Sequence, residues 1–171
     1  MEILDSKLEG LVFFKPTRFS DARGFFSIIH NEKDYEKINI KSKFVQDAYS
    51  FSKKKGTLRG LHFQTPPFGQ DQLVKVIRGS IFDVVVDLRK SSMTFGQCAS
   101  FMLSEENGCQ LFVPEGFAHG FLSLENKTQV YYKMSNFYSP ENDGGLIWNY
   151  KDIDIEWPEI STDLIISEKD K

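Results

Sequence analysis

The segment Gln72–Leu88, QLVKVIRGSIFDVVVDL, decides how the fold is read. Two β-branched runs flank Arg78-Gly79-Ser80. A glycine between such runs is a hairpin signal, so the pattern predicts two strands joined at Gly79. Side chains alternate across a strand. Asp83, Val85 and Asp87 therefore share one face, and Phe82, Val84, Val86 and Leu88 share the other.

Working outward, the same texture recurs on both sides. GLVFFKPTRF (10–19) reads as a strand interrupted at Pro16, which cannot donate to a sheet ladder. FSDARGFF (19–26) places turn-forming residues between apolar runs. KFVQDAYSFS (43–52), FGQCASFMLS (95–104), QLFVPEG (110–116), HGFLSLE (119–125) and TQVYYKMSNF (128–137) continue the series. Only NEKDYEKINI (31–40) carries apolar residues at helical spacing, through Tyr35 and Ile38. Turn signals every ~8–12 residues are the rhythm of a sandwich or barrel. The fold class is all-β: a double-stranded β-helix jelly roll, a cupin-like barrel with short helices, in a single domain over residues 1–171. The C-terminal DIEWPEISTDLIISEKDK (154–171) reads as an extended tail with Trp157 as its anchor.

Bulk properties exclude several functions. The 171 residues carry a net charge of −3, so nothing draws the whole chain to nucleic acid or to an anionic membrane. No apolar run approaches the ~18 residues of a membrane span, and the N-terminus has no apolar signal core. The two cysteines, Cys98 and Cys109, form no CxxC pair and no disulfide framework, and read as small buried thiols in a reducing compartment. The expected location is the cytoplasm.

The candidates for chemistry centre on LRGLHFQ (58–64) and VPEGFAHGFLSL (113–124), which set His62 and His119 in or beside strands. His30 ends an apolar run and reads as an ordinary polar residue, and the lysines of SKKKG (52–56) as a solvated turn. A metal-binding cupin is the first reading to weigh. Gly56 and His62 fit the spacing of its first motif and His119 fits its second, but Gln64 takes the next ligand position. Neither Phe68 nor Gly69 replaces the glutamate that follows. Two histidines fall short of the three or four donors that zinc or iron requires. Phosphate loops, nucleophile elbows and Cys-His pairs are also missing. Proton transfer remains. A neutral imidazole with a pKa near ~6.5 accepts a proton at physiological pH, and a phenol near ~10 arrives able to donate one. Tyr131 and Tyr132 are adjacent on a strand, so only one of them faces the barrel interior.

These stretches, with LVKVIRGSIFDVVVDLRKSSMTFG, VYYKMSNFYSPENDGGLIWN, IEWP and ISEKD, closely resemble the dTDP-4-dehydrorhamnose 3,5-epimerase family, in matching order from Phe13 to Asp170. The resemblance implies a jelly-roll homodimer without metal or organic cofactor. It implies an isomerase of L-rhamnose and polysaccharide biosynthesis, inverting C3 and C5 of a nucleotide-linked 4-keto-6-deoxyhexose. By the same resemblance His62 matches the general base, Asp170 the carboxylate that orients it, and Tyr132 the acid on the other face. Arg23, Arg59, His119 and Lys169 match substrate contacts, and Gln46 a polar position beside the ligand. Four positions depart from the family pattern: Gln72 where lysine is usual, Ile28 for glutamate, Ala48 for asparagine, and Asp143 for glutamate; Gln72 and Asp143 are still expected as substrate contacts by the resemblance. Gln72 still offers a hydrogen bond but not a cation, and charge-assisted bonds are roughly twice as strong as neutral ones. Lys75 is the nearest substitute cation if it faces the same way. The departures leave open another base or sugar, a 3-epimerase, or a non-catalytic nucleotide-sugar-binding jelly roll.

Overall fold

The computed structural model describes residues 1–171. Four short strands open the chain: β1 (Glu2–Leu4), β2 (Val12–Lys15), β3 (Arg18–Asp21) and β4 (Gly24–Ser27). Helix α1 (Glu32–Lys37) follows, with the Asn31 side chain accepting from the Lys33 amide at its first turn. Then come β5 (Gln46–Ser52), β6 (Leu58–Gln64), β7 (Gln72–Arg78), β8 (Ser80–Asp87) and β9 (Cys98–Ser104). The series closes with β10 (Gln110–Val113), β11 (Phe117–Ser123), β12 (Thr128–Met134), β13 (Asp143–Gly145) and a 3₁₀ turn at Glu168–Asp170.

Two antiparallel sheets face each other, in the orders β1-β2-β10-β7-β12-β5 and β13-β6-β11-β8-β9. This is the expected jelly roll. Strands β3 and β4 pair only with each other, as a hairpin. No helix is long and apolar enough to cross a membrane.

Apolar packing occurs in three layers. Between the sheets, fifteen buried residues form the main core, among them Val74, Val76, Ile81, Val85, Phe121 and Val130. Outside the first sheet, Phe14, Leu73 and Phe112 lie beneath Tyr35 and Ile40, the residues of α1 and its C-terminal side. Outside the second, Leu61, Val84, Val86 and Ala118 lie beneath Leu146, Trp148, Ile153, Ile155 and Trp157. The alternation expected for β8 holds, with Val85 in the sandwich and Val84 and Val86 under the tail. Trp157 anchors the tail as expected: its ring packs on Phe82 and its Nε1–H donates to the Trp148 carbonyl at 2.9 Å. Both cysteines are free, Cys109 buried and Cys98 half-buried.

The expected hairpin at Gly79 is not formed. Strand β7 pairs with β10 and β12 in one sheet, whereas β8 pairs with β9 and β11 in the other. Gly79 is a corner between layers. One residue separates the strands, at φ +77°, and its amide is held by the Glu105 carboxylate at 3.1 Å. A Cβ there would lie 2.7 Å from Thr128 Oγ1, which only glycine avoids. Strands β1 and β13 carried no sequence signal because three residues give too little alternation to read.

Beyond β8, Asp87 is fully buried and accepts hydrogen bonds from Arg89, Ser92 and Thr94. Burial alone would raise its carboxyl, but these donors outweigh it and hold the group far below the usual carboxylate range. A depressed folded-state value contributes stability above the unfolded value of ~3.9, and that stability is lost as pH falls through the folded one. Asp87→Asn should therefore be less stable than the parent at pH 7, with the gap closing below about pH 4. Urea unfolding at a series of pH values measures this, and a gap independent of pH would refute it.

Candidate active site

A cavity of about 550 Å³ opens between the sheets near one end of the sandwich. That is within the usual range for a small-molecule site. Its lining includes His62, Arg59, His119, Gln72, Tyr132, Lys169 and Asp170, seven of the ten residues expected from the sequence.

Strand β6 brings Arg59 and His62 to this cavity together. They are three residues apart, and a regular strand would turn them to opposite faces. Opposite β11, the pairing steps from His119↔His62 to Phe121↔Arg59, so β6 holds one extra residue there. This bulge resets the alternation. It sits at Gly60, where φ is +103° and a Cβ would lie 2.6 Å from the His119 carbonyl and 2.7 Å from Gly120 Cα.

His62 Nε2 lies 2.7 Å from Asp170 Oδ1, and no hydrogen bond occupies its Nδ1. The Asp170 side chain is 5% exposed, so the penultimate residue of the chain is docked rather than frayed. Docking runs through the backbone: Ile165 bridges to Thr57, its amide donating to the Gly56 carbonyl and its carbonyl accepting from the Leu58 amide. Burial raises the Asp170 carboxyl, but the bond to His62 and the attraction between them lower it more, and the net shift is downward. A carboxylate fixed there holds the imidazole ring in one orientation through its Nε2.

Tyr132 reaches the cavity from the opposite sheet. Its neighbour Tyr131 turns outward to Asp47, at 2.8 Å. The Tyr132 hydroxyl lies 3.3 Å from Ser50 Oγ, and burial pushes its phenol well above the ordinary value, so it stays protonated. His119 Nε2 lies 2.9 Å from Asp83 Oδ2, and its Nδ1 lies 2.9 Å from Gln72 Oε1. Lys75 does not replace the missing cation. It sits on the outer face of β7, between Leu73, packed outside the sheet, and exposed Ile77.

The other expected residues are spread wider. Asp143 pairs with Lys169 and accepts from the Tyr138 hydroxyl, in a recess beside the main cavity. Gln46 lies outside the lining and accepts from the Tyr138 amide. Arg23 stands on the β3–β4 hairpin, with a 90% exposed side chain that pairs with Asp21. Ile28 lines a separate recess with Phe19 and Lys37. Asp83 and Ser50 were not expected as site residues. The signal for Asp83 was present, because an acid on the core face of β8 requires a partner.

An imidazole backed by a carboxylate, across a sandwich cavity from a protonated phenol, is the set of groups that an isomerase of the proton-transfer type requires. The family model described as dTDP-4-dehydrorhamnose 3,5-epimerase matches residues 5–171. A curated relative of that name from Methanothermobacter thermautotrophicus is 47% identical over 169 residues, covering 98% of this chain and 90% of the relative. The crystal structure of the Bacillus anthracis enzyme with TDP and PPi bound superposes with a TM-score of 0.95 at 44% identity, covering 99% of this chain and 95% of that one. The Legionella pneumophila enzyme, in complex with dTDP-4-keto-L-rhamnose, gives 0.93 at 39% identity, covering 99% and 89%. The chain belongs to the dTDP-4-dehydrorhamnose 3,5-epimerase family.

Since Gly60 sets the alternation of β6, Gly60→Ala should cost on the order of 2 kcal/mol or more, through both strain and overlap. A lower midpoint in thermal or urea unfolding is the expected result; an unchanged midpoint would show that the seam tolerates a side chain.

Proposed function

We propose that this chain, acting as one jelly-roll domain over residues 1–171, inverts C3 and C5 of a dTDP-linked 4-keto-6-deoxyhexose without a cofactor. The observation that carries the reading is the placement of His62 and Tyr132 on facing sheets around one cavity. The ketone at C4 acidifies the protons on C3 and C5. His62 takes such a proton on Nδ1 while its Nε2–H donates to Asp170. The electron pair of the broken C–H bond moves into the ketone, giving an enolate. Tyr132 then gives its proton to the same carbon from the other side, and the configuration inverts. His62 returns its proton to solvent and the phenol regains one, so the cycle consumes nothing.

Arg59 has no carboxylate partner; it donates to the Phe51 carbonyl and to Ser52 Oγ. That leaves its charge for the pyrophosphate. Arg23 is not among the residues lining the cavity of its own chain and its side chain is exposed, so its role in substrate binding is assigned to the cavity of a second copy, as a homodimer would allow. The exposed Phe19, Phe25 and Phe26 on the same hairpin are apolar surface that such a contact would cover. The cytoplasm supplies nucleotide sugars, and the product would enter L-rhamnose and polysaccharide synthesis. Ala48 supports a second reading, a different nucleotide or sugar: it lines the cavity opposite Tyr132 in the β5–β12 register and presents no polar group.

Incubation with the 4-keto substrate in D2O should place deuterium at both C3 and C5, read by NMR. Deuterium at C3 alone would reduce the activity to a 3-epimerase, and none at either would leave only a binding protein. His62→Ala should abolish exchange, whereas Tyr132→Phe should keep proton abstraction and lower turnover by about 10²-fold or more. Full turnover in either variant contradicts these roles. Light scattering should give the mass of a dimer, and Arg23→Ala should raise KM more than it lowers kcat. A monomer with unchanged KM would remove Arg23 from the site.

A further inference from the structure

The β3–β4 hairpin carries Arg23, yet apolar packing does not hold it. It pairs with no other strand, and none of its strand residues is buried. A lone two-stranded hairpin is at best marginally stable in water. Its fixed point is Arg18. Nη1 of Arg18 donates to the Glu106 carbonyl at 2.6 Å and Nη2 to the Glu105 carbonyl at 2.5 Å, both on the turn between β9 and β10. The same guanidinium lies over the Phe25 ring, 4.3 Å from its centroid. One planar group thus touches both strands of the hairpin and the body of the protein. The receiving turn is itself tied down. Asn107 Oδ1 accepts from the Ser104 and Cys109 amides, and the Glu105 carboxylate accepts from the Gly79 amide. At Gly108 φ is +64°, and a Cβ there would fall on the Arg18 guanidinium. The glycine leaves a notch that the guanidinium fills. By the β3–β4 register, Arg18, Ser20, Phe25 and Ser27 share the clamped face. Phe19 and Phe26 are paired on the other face, 60% and 66% exposed, and Phe19 borders an open recess with Ile28 and Lys37.

We propose that Arg18 is a positioning residue for substrate binding: held in the Gly108 notch, it fixes the hairpin in the one placement from which Arg23 reaches the cavity of a second copy. This rests on the assignment of Arg23 made above. Arg23 pairs with Asp21 on the same hairpin, so it goes where the hairpin goes. Without the clamp the hairpin would sample many placements. Apparent affinity then falls with the fraction that is competent to bind. A guanidinium suits the task because its donors lie in a plane. It can bond two carbonyls at its edge while its face lies on an aromatic ring. An ammonium is a point charge and does not match both at once. The acceptors are backbone carbonyls of a tied turn, so the placement depends on no second flexible side chain.

Two substitutions attack the clamp from opposite sides. Arg18→Met keeps the length and removes the donors. Gly108→Asn keeps Arg18 but fills the notch, and asparagine tolerates a positive φ. Each should raise KM by about fivefold with kcat within about twofold of the parent. Affinity for dTDP, measured by calorimetry, should fall by the same factor, which keeps the test independent of turnover. Hydrogen exchange followed by mass spectrometry should show the amides of residues 19–26 exchanging about tenfold faster, with those of β8 and β11 unchanged. A lower unfolding midpoint with unchanged KM and dTDP affinity would make Arg18 merely structural and overturn the proposal. Arg18→Met in an Arg23→Ala background should weaken dTDP binding by less than about twofold further, because the two residues act through one contact. A full fivefold loss there overturns the route through Arg23. If Arg23→Ala weakens binding and Arg18→Met does not, the clamp falls and the assignment of Arg23 stands. If Arg23→Ala itself leaves binding unchanged, that assignment falls and this role with it.

Discussion

The contact between Gly60 and β11 is the constraint on which the site depends. The His119 carbonyl and Gly120 Cα stand where a Cβ on residue 60 would be. Only a glycine permits the two strands to close at that point, and the extra residue in β6 is accommodated by it. The consequence is chemical. Arg59 and His62 both face the cavity, so a cation and an imidazole sit on one wall. Phe63 remains outside with the layer that packs under the tail. The inner wall becomes polar without opening the outer apolar layer.

The C-terminal tail completes the site from outside the sheets. It has no regular ladder of its own and is held by the Trp157 contact, the Thr57–Ile165 bridge and the Lys169–Asp143 ion pair. Through these few points it brings Ile165, Ile166, Ser167, Lys169 and Asp170 to the cavity rim. Here it supplies the carboxylate that meets His62, so a segment outside both sheets contributes a group to the cavity.

Charge at the site is mostly arranged in pairs. Asp170 serves His62, Asp83 serves His119, and Asp143 serves Lys169. Burying an ion costs several kcal/mol unless a partner offsets it, and each pair meets that condition. Arg59 is the exception, with its guanidinium held by a carbonyl and a hydroxyl. Pairing also fixes ring orientations. Each imidazole presents one nitrogen to a carboxylate, and its second nitrogen is directed by what remains: nothing for His62, an amide oxygen for His119. Two histidines opposite one another in the β6–β11 register therefore have different environments.

The sequence by itself determined the all-β class, most strand positions, the alternation of β8, the choice of Tyr132 over Tyr131 as one that must be made, and the motifs that mark the family. These are local properties, because side-chain alternation and turn residues act over a few positions. It did not determine which strands share a sheet: the run around Gly79 reads as a hairpin, and the chain changes layers there because long-range packing overrides the local preference. Nor could alternation place Arg59 beside His62, turn Lys75 away, or join Asp170 to a histidine 108 residues earlier. A bulge, an outer face and a docked tail exist only once distant segments meet, so only the tertiary structure could decide them.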